Sequence, residues 1–574
     1  MMVLVPLLLV LGVLLSATPE SRAMSGVDAG APALTVAQER VQPAQVDAAA
    51  VDGIAAYLQG AILDLDGRPE RAAGRYLAAL AEDPDNLALR GRALEILLLG
   101  GDVPNAVKLA KTLPAVNQTT LSRLAQVVQL GQQGKIKQSR SEMRRLLKQA
   151  PTLWPFLLTD AYLQYADGVK PEVLVRRLNQ LPLTSVLEGR RQYHVGRLWL
   201  KAGQPAKALA ALARAQQLEP ASIFTTLLLA ETLARQGQVE QATALLADFA
   251  GRNPAVELLM PDLGRAPLPP FAASTSDDLA AAVFDFGLLV WGEGALGPAR
   301  QLLNMALWLA PEQGYYRYFL AILLEMGEDW DGAAQEYARL MTDPLLHDGA
   351  KLRLAEVRMR QGDAGLAWQL IGELQRARPA AHVVRRSVAQ MAFDRGDYNR
   401  AAEEYGWLMD RLPASMLPAA KVELLFARGA AYERDRDFGR AEKDLRAALQ
   451  LAPNNPQILN YLAYMLIERG QNLAEALAML QKAHVLAPRD GAITDSLGWA
   501  YFKMDKLGPA LKYLELAAEQ EPESPEILSH LGDAYAKAGR LEDARKYWQR
   551  ALDLLEKGVE EPFEGFGRQL RRKL

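Results

Sequence analysis

From about residue 53 onward, apolar residues recur every three or four positions in short blocks, and glycines and prolines separate the blocks. This spacing places the apolar side chains on one face of an α-helix, and glycine and proline end helices. The pattern predicts pairs of short amphipathic helices, with a glycine-containing turn inside each pair and a proline after it. The prolines that close the pairs are Pro84, Pro151, Pro220, Pro254, Pro311, Pro379, Pro413, Pro453, Pro488 and Pro522.

Small and large residues also recur at fixed positions within a pair. The pair that begins at Pro525 has Gly532 and Tyr535 on its first helix and Ala544 and Trp548 on its second. In the pair that begins at Gly491, the same positions hold Gly498, Tyr501, Ala510 and Leu514. A small residue where the helices cross lets the two backbones approach, and a large residue one turn away fills the remaining gap.

Three of the gaps between closing prolines are 34 residues long: 220 to 254, 379 to 413 and 488 to 522. A 34-residue helix–turn–helix period with these small and large positions resembles the tetratricopeptide repeat. The resemblance covers residues 53–556, and residues 152–188 fit it only through their neighbours. It implies an all-α, right-handed superhelical solenoid of about 13–14 helix–turn–helix units, whose first helices line a concave groove.

Two segments depart from the repeat and suggest a division of the chain. Residues 255–279 contain four prolines and a Ser-Thr-Ser run, and we interpret them as a loop or hinge between an N-terminal array (53–254) and a C-terminal array (280–557). The basic tail, residues 558–574, carries four cations: Arg568, Arg571, Arg572 and Lys573. We interpret the tail as a helical cap with a charged end, and contact with phosphate head groups is the alternative.

The first 23 residues have the pattern of a signal peptide. Val3–Leu15 is an apolar run too short to span a bilayer, and Ser21 and Ala23 form a small-x-small cleavage pattern. No lysine or arginine precedes the run, so an uncleaved membrane anchor and a mis-assigned start or buried first helix stay open. An Ala-rich linker, residues 24–52, follows. The predicted location is the periplasm, and anchoring in the membrane by an uncleaved N-terminal segment is the alternative.

Composition narrows the possible functions. The 574 residues include 65 Lys and Arg against 68 Asp and Glu, a net charge of −3, which argues against a nucleic-acid partner. The chain has no cysteine, which removes disulfides, thiolate metal sites and a lipid anchor on cysteine. Its five histidines lie far apart, so we expect no metal and no cofactor. Since no segment of domain size lies outside the repeats, we expect no enzymatic activity.

The tetratricopeptide resemblance indicates a candidate binding groove in the last three units. In this family, the second, fifth, ninth, twelfth and thirteenth positions of the first helix face the groove. The residues at such positions that we select are Asn460, Tyr464, Asp495, Trp499, Phe502, Ser529 and Asp533. Amides and carboxylates can hold a peptide backbone, and aromatic rings supply anchor area. The alternatives are that the aromatic rings pack on the next unit and that Asn460 and Asp495 belong to a solvated surface.

A second candidate surface is basic and lies in the N-terminal array. It consists of Arg190, Arg197, Lys201 and Arg235. Such a patch would attract an acidic partner. A solvated helix face is the alternative.

Residues 493–552, which begin Ile-Thr-Asp-Ser-Leu-Gly-Trp, resemble the C-terminal repeats of large proteobacterial periplasmic or outer-membrane-associated tetratricopeptide adaptors. Some of those are lipoproteins that serve a periplasmic carboxyl-terminal-processing protease. The resemblance implies a non-enzymatic scaffold or adaptor of the bacterial envelope that binds client peptides or a partner enzyme in the groove. Its partner would be a periplasmic protease or an envelope assembly factor, and it would reach the membrane only through that partner or an uncleaved signal. A component of polysaccharide export or envelope assembly is the alternative.

Overall fold

The computed structural model describes residues 48–65, 67–183, 185–252, 257–258, 274–412, 419–563 and 565–574. These residues form 29 α-helices and no strand. Twenty-eight of the helices form 14 helix–turn–helix pairs, and one helix follows the last pair. The predicted all-α array of about 13–14 units is therefore confirmed. The predicted signal peptide (1–23), most of the linker (24–52) and most of the loop at 255–279 lie outside the described residues.

The first seven pairs precede residue 310. They are α1 (Ala48–Leu65) with α2 (Pro69–Glu82), α3 (Leu87–Leu99) with α4 (Val103–Ala110), α5 (Thr120–Gln132) with α6 (Ile136–Gln149), α7 (Trp154–Ala166) with α8 (Pro171–Asn179), α9 (Ser185–Lys201) with α10 (Pro205–Leu218), α11 (Ile223–Arg235) with α12 (Val239–Arg252), and α13 (Thr275–Gly292) with α14 (Leu296–Leu309). A short 3-10 turn, Ala115–Asn117, lies between the second and third pairs.

The remaining helices follow in the same order. They are α15 (Gly314–Met326) with α16 (Trp330–Ala338), α17 (His347–Arg360) with α18 (Ala364–Ala377), α19 (His382–Asp394) with α20 (Tyr398–Asp410), α21 (Ala419–Arg434) with α22 (Phe438–Leu451), α23 (Pro456–Glu468) with α24 (Leu473–Leu486), α25 (Gly491–Lys503) with α26 (Leu507–Gln520), α27 (Pro525–Lys537) with α28 (Leu541–Glu556), and the single C-terminal helix α29 (Phe566–Lys573).

Capping side chains explain where the helices begin, and small residues explain where they cross. The side chains of Asn455, Asp490 and Ser524 each accept a hydrogen bond from a first-turn backbone N–H and so cap α23, α25 and α27. At the crossing of α25 and α26, a Cβ added to Gly498 would lie 2.7 Å from Cγ of Leu514. The small residues that the sequence places at crossings are therefore required by the close approach of the two helices.

The helices fall into two compact units, Met1–Val384 (unit 1) and Arg385–Leu574 (unit 2). The boundary lies inside α19, far from the loop predicted at 255–279. Helices α13 and α14, which follow that loop, pack against α3, α5 and α7, which precede it. This packing does not fit our interpretation of the loop as a hinge between two independent arrays, because helices on its two sides share one core.

Side chains of α14 also complete the end of a helix that precedes them by about two hundred residues. The Nε of Arg300 donates to the backbone oxygen of Leu99 at 2.9 Å, and Nδ2 of Asn304 donates to the same oxygen at 2.8 Å. The last carbonyl groups of a helix have no partner inside the helix, so these two side chains satisfy the C-terminal end of α3. Of the helices in the described residues, none is long and apolar enough to cross a membrane.

Candidate functional site

The predicted groove residues lie on three helices that are neighbours in unit 2. Helix α23 contacts α25, and α25 contacts α27, so the first helices of the last three pairs lie side by side. The seven residues differ in exposure. Asp495, Trp499 and Ser529 are buried, whereas Asn460, Tyr464, Phe502 and Asp533 are partly buried.

Trp499 packs within the protein, which was one of the two interpretations of the groove aromatics. Its ring stacks on that of His530 with centroids 4.0 Å apart, and on that of Phe502 with centroids 4.6 Å apart. Its Nε1 donates to Oε1 of Glu468 at 2.6 Å. Only 8% of Trp499 is exposed, so this residue connects three neighbouring helices and offers little anchor area to a partner.

Asp495 lies on α25, the middle one of the three helices, and only one of its two carboxylate oxygens has a hydrogen-bond partner. Its Oδ2 accepts a hydrogen bond from Nδ1 of His530 at 2.8 Å, while its Oδ1 has no hydrogen-bond partner. Oδ1 of Asn460, at the equivalent position of α23, also has none. Burial lowers the pKa of His530, but the negative charge and the hydrogen bond of Asp495 raise it more, so the net shift is upward.

Glu526 joins the first and third of these helices. Its Oε1 accepts a hydrogen bond of 3.5 Å from the hydroxyl of Tyr464, and burial raises the pKa of its carboxyl group. Our sequence analysis did not select Glu526 or His530. Glu526 occupies the second position of its helix, which the family pattern places in the groove, so the pattern could have identified it. His530 lies outside the family positions that face the groove, and no pattern in the sequence pointed to it.

In the last pair, the groove positions are already occupied by the tail of the same chain. Nζ of Lys573 lies 2.7 Å from both carboxylate oxygens of Asp533 and 3.2 Å from Oγ of Ser529. Lys573 is on α29, whose Phe566 and Leu570 are buried in the same core as α27 and α28. The structure thus places all four cations of the basic tail in a helix that folds back on the last repeat.

The predicted basic patch is not an exposed surface, and this corrects our interpretation of it. Arg190, Arg197 and Lys201 lie on α9, where the side chain of Arg190 pairs with Asp285 and Nζ of Lys201 lies 2.5 Å from Oδ2 of Asp278. Both acids belong to α13. Nη2 of Arg197 lies 3.6 Å from the other oxygen of Asp278.

Three of the four cations therefore have acidic partners inside unit 1, which the sequence could not show because α13 follows α9 only after the loop. The fourth, Arg235, has a side chain that is 56% exposed and pairs with Glu231 on its own helix. The buried ion pairs surround His194, which is hydrogen-bonded to the hydroxyl of Tyr162 at 2.8 Å. Burial lowers the pKa of His194 to about 3, so this histidine is neutral.

The part of the chain that the structure describes contains no group of three or more His, Cys, Asp or Glu side chains that could hold a metal ion. The arrangement in both units is one of hydrogen bonds, ion pairs and packed rings between helices. Stacked helix pairs with small residues at their crossings define the class of the protein: a helical repeat scaffold.

Comparisons with known proteins identify tetratricopeptide repeats in two segments of the chain. Tetratricopeptide-repeat models match residues 391–557 and residues 66–117. The chain is 30% identical over 193 residues to the TPR repeat-containing protein PA4667 of Pseudomonas aeruginosa, a match that covers 33% of this chain and 31% of that protein. It is 31% identical over 99 residues to bacteriophage adsorption protein A of Escherichia coli, covering 17% of this chain and 10% of that protein. The chain therefore spans less than a third of the length of either relative.

Among solved structures, that of yeast Tom70 aligns with 91% of this chain and 94% of its own, at 13% identity and a TM-score of 0.38. The family matches and the PA4667 match agree on the same repeat. Residues 66–117 and 391–557 are therefore tetratricopeptide repeats. Repeats of this family generally mediate protein–protein interactions, and proteins built of them are generally not enzymes.

Proposed function

We propose that the chain is a non-enzymatic adaptor that binds an extended segment of a partner protein in the groove formed by α23, α25 and α27. One observation carries the proposal: Asn460 and Asp495, at equivalent positions of successive repeats, each have a buried oxygen without a hydrogen-bond partner. A buried acceptor left without a donor costs about 1–3 kcal/mol. N–H groups of a bound segment, from its backbone or from its side chains, would satisfy both acceptors and recover that free energy.

The groove must adjust to admit such a segment. Both acceptor atoms are shielded from solvent in the unbound chain, so a peptide reaches them only after the side chains of Asn460 and Asp495 rotate toward the groove. The rings contribute little to this step, because Trp499 is stacked on two neighbouring side chains. For the same reason, stacking of sugars on Trp499 is not favoured, and the polysaccharide-export alternative gains no support from this residue.

The location and the kind of partner are part of the proposal. The apolar run Val3–Leu15 and the small residues before residue 24 support export to the periplasm. Similarity to an Escherichia coli protein named for bacteriophage adsorption supports a place in the cell envelope. We therefore expect a periplasmic protease or an envelope assembly factor as the partner. Mass spectrometry of the mature protein should find an N-terminus at Met24; an intact Met1 on protein from the cytosol would contradict export.

The groove is tested by site-specific photocrosslinking in the native cell. A photoreactive residue at position 464 should capture a partner, and one at Lys546, exposed on the second helix α28, should not. Asp495→Ala removes the acceptor and should abolish the capture at position 464. Glu519→Ala, which removes one carboxylate from an exposed position of α26, is the matched control and should leave capture unchanged. Capture from position 546 alone would overturn the proposal.

A further inference from the structure

The groove of the last repeat is built to hold a cation. Nζ of Lys573 lies 2.7 Å from each carboxylate oxygen of Asp533 and 3.2 Å from Oγ of Ser529. The ring of Trp548 lies 5.8 Å from the same ammonium group, and its Nε1 donates to Oδ1 of Asp533 at 2.9 Å. The site therefore combines three groups: the carboxylate of Asp533, which the indole N–H orients, the hydroxyl of Ser529 and the ring of Trp548. Together they form a favourable environment for an ammonium or guanidinium group.

Farther along the groove, on α23, α25 and the start of α27, the carboxylate groups outnumber the cationic groups that pair with them. Glu468 pairs with Lys503 at 3.2 Å, but Asp495 and Glu526 share one histidine. Burial raises the pKa of Glu526, and the negative charge of Asp495 raises it further, while the charge of His530, the hydrogen bond from Tyr464 and the charge of Arg434 lower it. The middle of the groove therefore has room for additional positive charge.

A second observation points to a ligand at the same place. The side chain of Asp495 is only 7% exposed, yet its Oδ1 has no hydrogen-bond partner. A buried carboxylate oxygen without a hydrogen-bond donor is destabilising, and a charged donor would form the strongest hydrogen bond to it. Lys573 supplies such a donor to Asp533 one repeat farther on, and no equivalent donor from the described residues reaches Oδ1 of Asp495.

We propose that the groove of α23, α25 and α27 recognises lysine or arginine side chains of the partner segment, and that Lys573 is their competitor from the same chain. The inference rests on the proposed function and specifies the chemistry of the partner. A partner cation binds Asp533 and Ser529 after the ammonium of Lys573 leaves, and a second cation binds Asp495. The occupant is thus a basic polypeptide segment, complementary in charge to the groove.

The competition requires only a small movement. Phe566 and Leu570 hold α29 in the core, whereas the side chain of Lys573 is partly exposed. Ion pairs with this degree of exposure are weak, so a partner cation can displace Lys573 at a modest cost. Removal of the ammonium should therefore tighten the binding of a basic segment by about fivefold.

The test is fluorescence anisotropy on the full chain with a fluorescein-labelled Gly-Ser peptide that carries lysines. Matched peptides carry arginine, norleucine or glutamate at the same positions. We expect the lysine and arginine peptides to bind the wild type and to bind Lys573→Ala about fivefold more tightly. Asp533→Asn should weaken both by about tenfold or more, and Asp533→Glu should restore part of the loss. Glu519→Gln should leave the affinity unchanged, and circular dichroism should show all variants folded.

Three results would overturn the inference. Equal affinity of the norleucine and lysine peptides would mean that the groove does not select cations. Unchanged affinity in Lys573→Ala would mean that Lys573 does not compete. Failure of the lysine peptide to bind any variant, while position 464 still captures a partner in the cell, would refute the inference and leave the proposed function standing. Loss of that capture is instead the failure of the proposed function, whatever the peptides do.

Discussion

The two units use the polar residues of their first helices in different ways. In unit 1, Arg190 and Lys201 of α9 pair with acids of α13, so they join helix pairs that are far apart in sequence. In unit 2, Asp495 has a partner on the next repeat but keeps one oxygen without a donor. The polar side chains on the first helices of a repeat can thus either form ion pairs that stabilise a compact unit or keep hydrogen-bonding groups available for a partner.

The largest expected effect concerns the ion pairs of unit 1. Asp278→Ala removes the carboxylate that Lys201 and Arg197 face in a buried setting, so we expect the free energy of unfolding of unit 1 to fall by about 3–5 kcal/mol. Hydrogen exchange of the α9 amides measures the effect. Glu312→Ala, at an exposed position between α14 and α15, is the control and should change it by less than about 0.5 kcal/mol.

The same experiment tests the comparison between the units. Protection of the α25 amides in unit 2 should not change in Asp278→Ala. If α9 loses no more protection than in the control, the buried pairs are not what holds unit 1 together.

A smaller loss of stability should occur in both units, because each contains a helix crossing of the same type, with a glycine at the point of closest approach. A Cβ added to Gly196 in unit 1 would lie 2.6 Å from Cγ of Leu212, and one added to Gly498 in unit 2 would lie 2.7 Å from Cγ of Leu514. Gly196→Ala and Gly498→Ala should each destabilise their unit by about 1–3 kcal/mol through overpacking. Hydrogen exchange of α10 and of α26 measures the two effects separately.

Gly508→Ala is the control for this pair of variants. Gly508 lies on α26 with nothing within 4 Å of an added Cβ, so alanine should be neutral or stabilising by less than about 1 kcal/mol. A loss of stability in one unit but not in the other would show that the two units do not share the packing of this crossing.

The smallest expected effect is a pH dependence of opposite sign in the two units. Burial lowers the pKa of His194 to about 3 in folded unit 1, so between that value and about 6.5 the unfolded chain binds a proton that the folded chain does not. Unit 1 should therefore lose stability as the pH falls below about 6.5, and the loss should be about 1.4 kcal/mol at about pH 5.5.

His530 in unit 2 has the opposite sign because its folded pKa is raised: burial lowers it, but Asp495 raises it more. Its contribution to stability is fully present below about pH 6.5 and is lost as the pH rises through the folded pKa. The measurement is the pH dependence of hydrogen exchange in α9 and in α27. We expect His194→Gln to remove the dependence in α9 and His530→Gln to remove it in α27. Dependences of the same sign would contradict the contrast between the two histidines.

The sequence could predict the helix pairs because their signals are local. Apolar spacing, closing prolines and small residues at the crossings all act within about 34 residues. The sequence could not predict that α13 packs on α9, because Asp285 and Arg190 lie 95 residues apart and no local pattern connects them. The basic patch was misread for this reason.

The candidate groove was predicted in part. The family positions placed Asn460, Asp495 and Asp533 on neighbouring helices, as the structure has them. They could not show that His530 would stack on Trp499, since that contact depends on how two repeats pack. Nor could they show that α29 would turn back and place Lys573 on Asp533, because the tail follows the last repeat and has no counterpart in the period.

The bonds between α14 and α3 have a consequence for the order in which the protein folds. In most repeat arrays, contacts are made between neighbours, so each pair can fold as soon as the next has been synthesised. Arg300 and Leu99 are separated by 201 residues. At about 5–20 residues per second, α3 waits about 10–40 s of synthesis before α14 exists. Unit 1 should therefore have high contact order and fold late and cooperatively, even though it is built from repeats whose own contacts are local.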